Sequence, residues 1–290
     1  MAVAAVAERE KTDSLLSYYD EQGYVVVRNL IPKERIANLL ALYARDIVPS
    51  RRRFFRQSSS RYERNRVSPQ GHVRQPFLDI HDYRRFPEFS AAAREIFCGD
   101  EMMETVRALT GAPRHNLMQT MLFDLDTPAS PRRDWYCLDG APNGSLVAAR
   151  VALEDIREEA GRFYVMPGSH ELGDFGAREP GVTLERWRKR VGDYVEQHRS
   201  SRFAPALRRG DVLLWNLRTV HGSLPRRDER YSRKSLTAHY IPSHLGFDRR
   251  YKEYGGMRFY RNQPEYSLFN HLVHAVKAGV FNRSKSGSFC

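Results

Sequence analysis

The chain has 290 residues, 41% of them hydrophobic, which is enough for one sizeable core and suits a single β-barrel or sandwich with helical additions. Its formal net charge is +12, with forty arginines among 47 basic residues, yet no nucleic-acid motif accompanies the charge, so it reads as a solvated arginine-rich face or as attraction for anionic small molecules. Three cysteines without CxxC spacing argue against a disulfide framework and for a reducing cytoplasm, and no run approaches the roughly twenty apolar residues of a membrane span.

The apolar opening at residues 1–7 is cut off by Glu8, Arg9 and Glu10 before it reaches signal-peptide length. Gly23-Tyr24-Val25-Val26-Val27 reads as a β-branched strand. Leu30-Ile31-Pro32 then opens a helix to about Asp46, with Ile36, Leu39, Leu40 and Leu42 on its apolar side. From Arg51 to Arg66 the chain is nearly all Arg, Ser and aromatic residues without periodicity; this predicts a long loop, either solvated or a lid whose arginines meet an anionic or carrier-bound substrate. Residues 87–111 return to helical spacing, with Gly111 as the stop.

The pattern then changes to alternation. Strands are predicted at 115–123, 146–153, 162–166, 211–215 and 235–241, separated by Gly, Pro and Asp, which favours two facing antiparallel sheets over a βαβ succession. Between 182 and 199, Leu184, Trp187, Val191 and Tyr194 mark an amphipathic helix inserted between strands. The expected layout is one domain over 1–290: a helical part to 111 carrying the basic loop 51–66, a β core over 112–243, and an extension from 244, where His271 and His274 lie on a short surface helix.

Two residues near the ends of apolar runs carry metal chemistry. Asp134 and His221 are two thirds of a 2-His-1-carboxylate set, which holds non-haem Fe(II) with three positions open. The third ligand belongs two residues before the Asp, since i and i+2 of an extended segment share a face. That position is Arg132, whose guanidinium is always protonated and has no lone pair to give.

With these residues in view, the sequence resembles the phytanoyl-CoA dioxygenase family of Fe(II)/2-oxoglutarate oxygenases. The resemblance runs in order from Gly23 to Tyr240: the Gly-Tyr-Val-Val-Val opening, the turn Asp134-Trp135-Tyr136-Cys137-Leu138-Asp139, then Ala152-Leu153-Glu154-Asp155-Ile156 leading to Gly161-Arg162-Phe163-Tyr164-Val165-Met166-Pro167-Gly168-Ser169-His170. Gly210-Asp211-Val212-Leu213-Leu214-Trp215, His221-Gly222-Ser223 and Arg233-Lys234-Ser235-Leu236 complete it. It implies a double-stranded β-helix, a jelly-roll barrel with flanking helices. It also implies Asp134 and His221 as metal ligands, and Arg233 as the partner of the far carboxylate of 2-oxoglutarate. Ser235, on the same face as Arg233, and Gln119 are further cosubstrate candidates. The implied cofactors are Fe(II), 2-oxoglutarate and O2, and His170 reads as architectural. The partners expected are a small-molecule substrate and a second chain in a homo- or heterodimer, without nucleic acid or membrane.

Arg132 divides the reading in two. A working oxygenase would attack an aliphatic C–H of a small molecule in specialised metabolism, with a third ligand from His115, His239 or water. His239 fits poorly by distance, since it lies six residues beyond Arg233, roughly 20 Å along an extended strand. Alternatively, a fixed positive charge repels a dication by several kcal/mol even at an effective dielectric of about 20, and the chain is a metal-deficient binding or partner subunit. Either way, the side chains of Asp134 and His221 should converge within about 4 to 5 Å.

Overall fold

The structure, a computed structural model, describes residues 14–59, 61–125, 129–134, 145–245, 251–254 and 257–260. The helical histidine pair and the turn beyond Asp134 lie outside them. A ten-stranded, almost wholly antiparallel sheet curves around a two-stranded one. Along the large sheet the order is β1 (Tyr24–Val27), β8 (Val212–Asn216), β6 (Val147–Ala152), β10 (Ser235–Pro242), β5 (His115–Phe123), β4 (Phe77–Leu78), β2 (Phe54–Arg56) and β3 (Arg61–Glu63). β11 (Tyr251–Tyr254) and β12 (Met257–Tyr260) pair with each other, and β12 also touches β5. The small sheet joins β7 (Phe163–Val165) to β9 (His221–Ser223). This is the predicted jelly roll, with one sheet far larger than the other.

Alternation decides which side chains go where. Leu122, Leu236, Val151 and Val212 point to one face and pack beneath α1 (Lys33–Leu42), α2 (Pro87–Cys98) and α3 (Asp100–Thr110). Their neighbours, among them Ala148, Ala152, Leu213 and Trp215, point to the other face and meet Phe163 and Val165 from the small sheet. Asp134, His221 and His239 gather around Trp215 on this inner side. A third cluster seats the inserted helix α4 (Leu184–Gln197) through Trp187, Val191 and Val195 against Tyr164, Met166 and Val220.

Two expectations are corrected. Residues 51–66 are not a long loop or a lid: Phe54–Arg56 and Arg61–Glu63 form a hairpin that extends the large sheet. Arg56 is fully buried, donates to the Gln75 carbonyl and to Asn65 Oδ1, and lies 4.2 Å from the Phe77 ring centroid. Its charge thus serves the core and is hidden from solvent. The 87–111 helix is two helices, broken at Gly99, where a Cβ would come within 2.7 Å of the Glu95 carbonyl oxygen. Apolar periodicity runs straight through that break, which is why it does not show in the pattern.

β1 is fixed to the sheet through Asp211. Its carboxylate accepts from the backbone N–H groups of Asn29 and Arg208, each at 2.8 to 2.9 Å, and from Arg28 Nη1 at 2.6 Å. Burial pushes this carboxyl upward in pKa, but the three hydrogen bonds outweigh it and hold the group below the usual carboxylate range. Asp211→Asn is expected to cost about 1.5 to 3 kcal/mol in urea unfolding at pH 7, the worth of charge-assisted hydrogen bonds. A depressed carboxyl contributes above its unfolded value of about 3.9 and stops contributing as pH falls through its folded value, so the gap between the proteins should close below about pH 4.

Candidate functional site

The site begins with a short ladder. Arg132 and His221 form a reciprocal antiparallel bridge, each N–H donating to the other's carbonyl at 3.0 Å, and the Asp134 N–H donates to the Leu217 carbonyl. Residues exchanging both hydrogen bonds stand directly opposite each other, so positions 132, 134 and 221 come together. His221 Nε2 lies 3.3 Å from Asp134 Oδ1, and both residues are buried.

The two oxygens of Asp134 have different surroundings. Oδ2 accepts from the Trp215 indole N–H at 3.1 Å and lies 3.6 Å from His239 Nε2. Oδ1 faces His221 Nε2, with Arg132 Nε further off at 3.9 Å. Burial raises the carboxyl pKa, but the imidazole of His221, seconded by that of His239, overcomes it and holds Asp134 ionised well below the usual range.

His221 is oriented from behind. Its Nδ1 lies 3.0 Å from the Thr219 carbonyl, which can only accept, so Nδ1 donates there and Nε2 is the ring atom that faces Asp134 Oδ1. An imidazole nitrogen and a carboxylate oxygen at 3.3 Å can be joined by a proton on the ring or by a metal ion that both ligate. Two ligands of one ion at bond lengths of about 2.1 Å and a right angle stand about 3 Å apart, so this pair fits two adjacent ligand positions. Arg132 beside them has its Nε 3.9 Å from Asp134 Oδ1 and no lone pair to give, and among the described residues no group of three or more His, Cys, Asp or Glu side chains is arranged to hold a metal.

The remaining candidates are dispersed. Arg233 is buried and donates through Nη1 to the Gly161 carbonyl, while Ser235 Oγ donates to the carbonyl of Arg233 at 3.1 Å. Gln119 pairs with His239 across β5 and β10, and its Oε1 is buried without a hydrogen-bond partner among the described residues. His115 is not at the site: it bonds Thr110 Oγ1 through Nε2 at 2.7 Å near the far end of β5, where burial lowers its pKa to about 4. His170 bonds the Asp20 carbonyl, an architectural role.

His239 corrects the distance argument made from sequence. The spacing from Arg233 along the strand is not in dispute; the error lies in centring the site on Arg233, because Asp134 sits at the His239 end, beside a register shift between His239 and Tyr240. Such bulges re-aim side chains next to functional sites. Sequence reading also passed over the indole N–H of Trp215 and the role of Arg133. Strand phase alone places Trp215 and His239 on the inner face, a signal that was there to use.

Arg133 points the opposite way from Asp134. Fully buried, it donates to the carbonyls of Ser169, Leu172 and Gly173 and lies over the Phe175 ring, fixing the 169–175 segment to the strand that carries Asp134. Burial lowers its pKa to about 10, leaving it charged at neutral pH. Arg133→Met is expected to destabilise the fold by about 2 to 4 kcal/mol, because buried carbonyls lose their donor, and to open 169–175 to limited proteolysis.

Comparison with known proteins bears on family and fold. A family model described as phytanoyl-CoA dioxygenase (PhyH) matches residues 19–235. The peroxisomal phytanoyl-CoA dioxygenase of Homo sapiens is 22% identical over 245 residues, 77% of this chain and 66% of that protein; the Rattus norvegicus protein is 23% identical over 241 residues with the same two shares. The chain thus spans just under two thirds of the length of these relatives. Among solved structures, the epimerase SnoN in complex with Fe3+, alpha ketoglutarate and nogalamycin RO superposes with a TM-score of 0.61 at 22% identity, covering 82% of this chain and 86% of that one. EctD from S. alaskensis with 2-oxoglutarate and 5-hydroxyectoine gives 0.55 at 18% identity over 79% and 75%. These structures share the jelly-roll fold, and the family model covers well over half of the sequence, so this chain belongs to the phytanoyl-CoA dioxygenase family.

Proposed function

We propose that the chain is a non-haem iron, 2-oxoglutarate-dependent oxygenase acting on an aliphatic C–H of a small molecule in cytoplasmic specialised metabolism. The observation that carries the reading is the buried pair of Asp134 and His221, 3.3 Å apart with Nε2 of the imidazole facing the carboxylate, an arrangement in which the two can share one cation. Asp134 and His221 would hold the iron, which together with 2-oxoglutarate and O2 supplies the oxidising chemistry. The chain's own part is positioning. Trp215 and His239 hold the outer oxygen of Asp134, the Thr219 carbonyl orients the His221 ring, and the burial of Asp134 and His221 keeps water away. The net charge of +12 and the exposed Arg51, Arg52 and Arg53 favour an anionic or carrier-bound substrate.

One observation favours a second reading, a metal-deficient family member that binds a ligand or partner without turning it over. Arg132 stands on the ladder opposite His221, where the third ligand belongs, with its Nε 3.9 Å from Asp134 Oδ1. The same protein can decide between them. With two protein ligands and an adjacent cation, the parent is expected to retain little Fe(II) on metal analysis and to release succinate slowly. Arg132→His should raise Fe(II) affinity by about tenfold or more, since it adds a donor and removes a unit charge, and should speed succinate release. Full iron occupancy and coupled turnover in the parent would exclude the metal-deficient reading. Iron binding by neither protein would sink the oxygenase reading.

A further inference from the structure

The exposed arginines fall into two kinds. Arg28, Arg66, Arg74, Arg227 and Arg230 are each ion-paired to an aspartate or glutamate. Arg51, Arg52, Arg53, Arg84 and Arg85 are exposed too, and among the described residues none of these five has an ion pair or a side-chain hydrogen bond. Phe54 draws them onto one surface. Its ring stacks on that of Phe86, 5.8 Å between centroids at 26°, and lies 5.3 Å from that of Tyr83, so the run ending at Arg53 meets the turn that carries Arg84 and Arg85. The acids flanking these segments, Asp46 and Glu88, are both held by Arg45, at 2.7 and 2.8 Å. Six cations thus stand against two anions, an excess of four.

Register places this patch relative to the barrel's site. Arg56 pairs with Phe77 and Phe77 with Leu122, the Asp79 N–H donates to the Thr120 carbonyl, and β2 runs antiparallel to β4. Counting back along β2, Arg53 stands level with Ile80 and hence with Gln119, the residue that pairs with His239 beside Asp134. Three strand steps separate the two, from β10 through β5 and β4 to β2, about 14 Å. The patch therefore lies level with the candidate ligands and to one side of them.

We propose that these arginines dock an acidic helix of a protein that presents the substrate. Carboxylates three and four residues apart on a helix stand about 5 to 6 Å from each other, a spacing that neighbouring arginines meet on their long side chains, and the guanidinium fork suits a carboxylate. The patch favours a protein over other polyanions. Its own Asp46 and Glu88 would oppose the continuous phosphates of a lipid or nucleic-acid surface, whereas discrete carboxylates can pair around them. The exposed large apolar side chains, Tyr18, Val67, Leu172 and Phe203, all lie outside these segments, so nothing here inserts into a bilayer or stacks on a base. From the patch, about 14 Å is roughly the length of four extended residues, so a substrate on a flexible arm reaches the site. The presenting role rests on the oxygenase reading; the docking does not.

The test is calorimetric titration of the full chain with an acyl carrier protein, a small acidic helical protein bearing a thioester arm, at about 50 mM and about 300 mM salt. The parent is expected to bind in the micromolar range at the lower salt and about tenfold or more weakly at the higher. The double variant Arg52→Glu, Arg84→Glu should lose about tenfold or more at the lower salt with an unchanged melting temperature, and Glu→Arg changes in the carrier's helix should restore part of it. Arg227→Glu with Arg230→Glu lowers the net charge equally and should leave affinity within about twofold. No binding by the parent at the lower salt, or equal loss in both double variants, would overturn the proposal. So would binding of phosphatidylglycerol vesicles or duplex DNA through Arg52 and Arg84 more tightly than the carrier protein. Each of these leaves the oxygenase reading to iron occupancy and succinate release; carrier binding in a protein that fails those keeps the docking and removes the presenting role.

Discussion

One buried carboxylate sets the terms for the rest of the barrel. Asp134 is held ionised by groups from three separate strands: the indole of Trp215 on β8, the imidazole of His221 on β9 and that of His239 on β10. A charge taken out of water is tolerable only if it is paired and hydrogen-bonded, so these strands must meet within a few ångströms of it. The large sheet curls and the small sheet closes over it in consequence. The outer faces of the same strands carry the apolar load under α1, α2 and α3, so the helical layer stabilises the fold without touching the chemistry.

The division of labour between the two carboxylate oxygens bears on how the buried carboxylate coexists with an adjacent arginine. Oδ2 is committed to Trp215 and His239, which fixes the plane of the carboxyl. Oδ1 is left toward His221, and Arg132 stands at 3.9 Å, beyond a hydrogen bond. The guanidinium therefore sits beside the pair without closing on it. An arginine that had taken over the carboxylate would lie in bidentate contact at under 3 Å.

Legibility in the sequence followed the range of the interactions. β5 and β10 could be read from alternation, because their side chains sort by face along a continuous stretch, and the inserted helix followed from Trp187, Val191 and Tyr194. The hairpin at Phe54–Glu63 could not be read, since its arginine is stable inside only through Asn65 and Gln75, partners that composition cannot announce. β9 is three residues long, too short for any period, and Gly99 interrupts an unbroken apolar stripe. In the site, Asp134 and His221 stood out by type and motif. His239 did not: it is a polar residue inside an apolar run, and only the register of β6 and β10 shows what it faces.

Arg133 and Asp134 are consecutive residues, and their side chains leave the backbone in opposite directions. One grips the carbonyls of 169–173, next to the Asp174 carbonyl that receives the Trp187 indole of α4; the other enters the barrel. A peptide plane cannot turn for one without turning for the other, so the outer insertion and the inner carboxylate behave as the two ends of a rigid pin. For anyone exchanging the α4 region between relatives to change what enters the barrel, the graft junction cannot be drawn at the insertion's own ends. It has to include the arginine that holds it, and with that residue the aim of the carboxylate travels too.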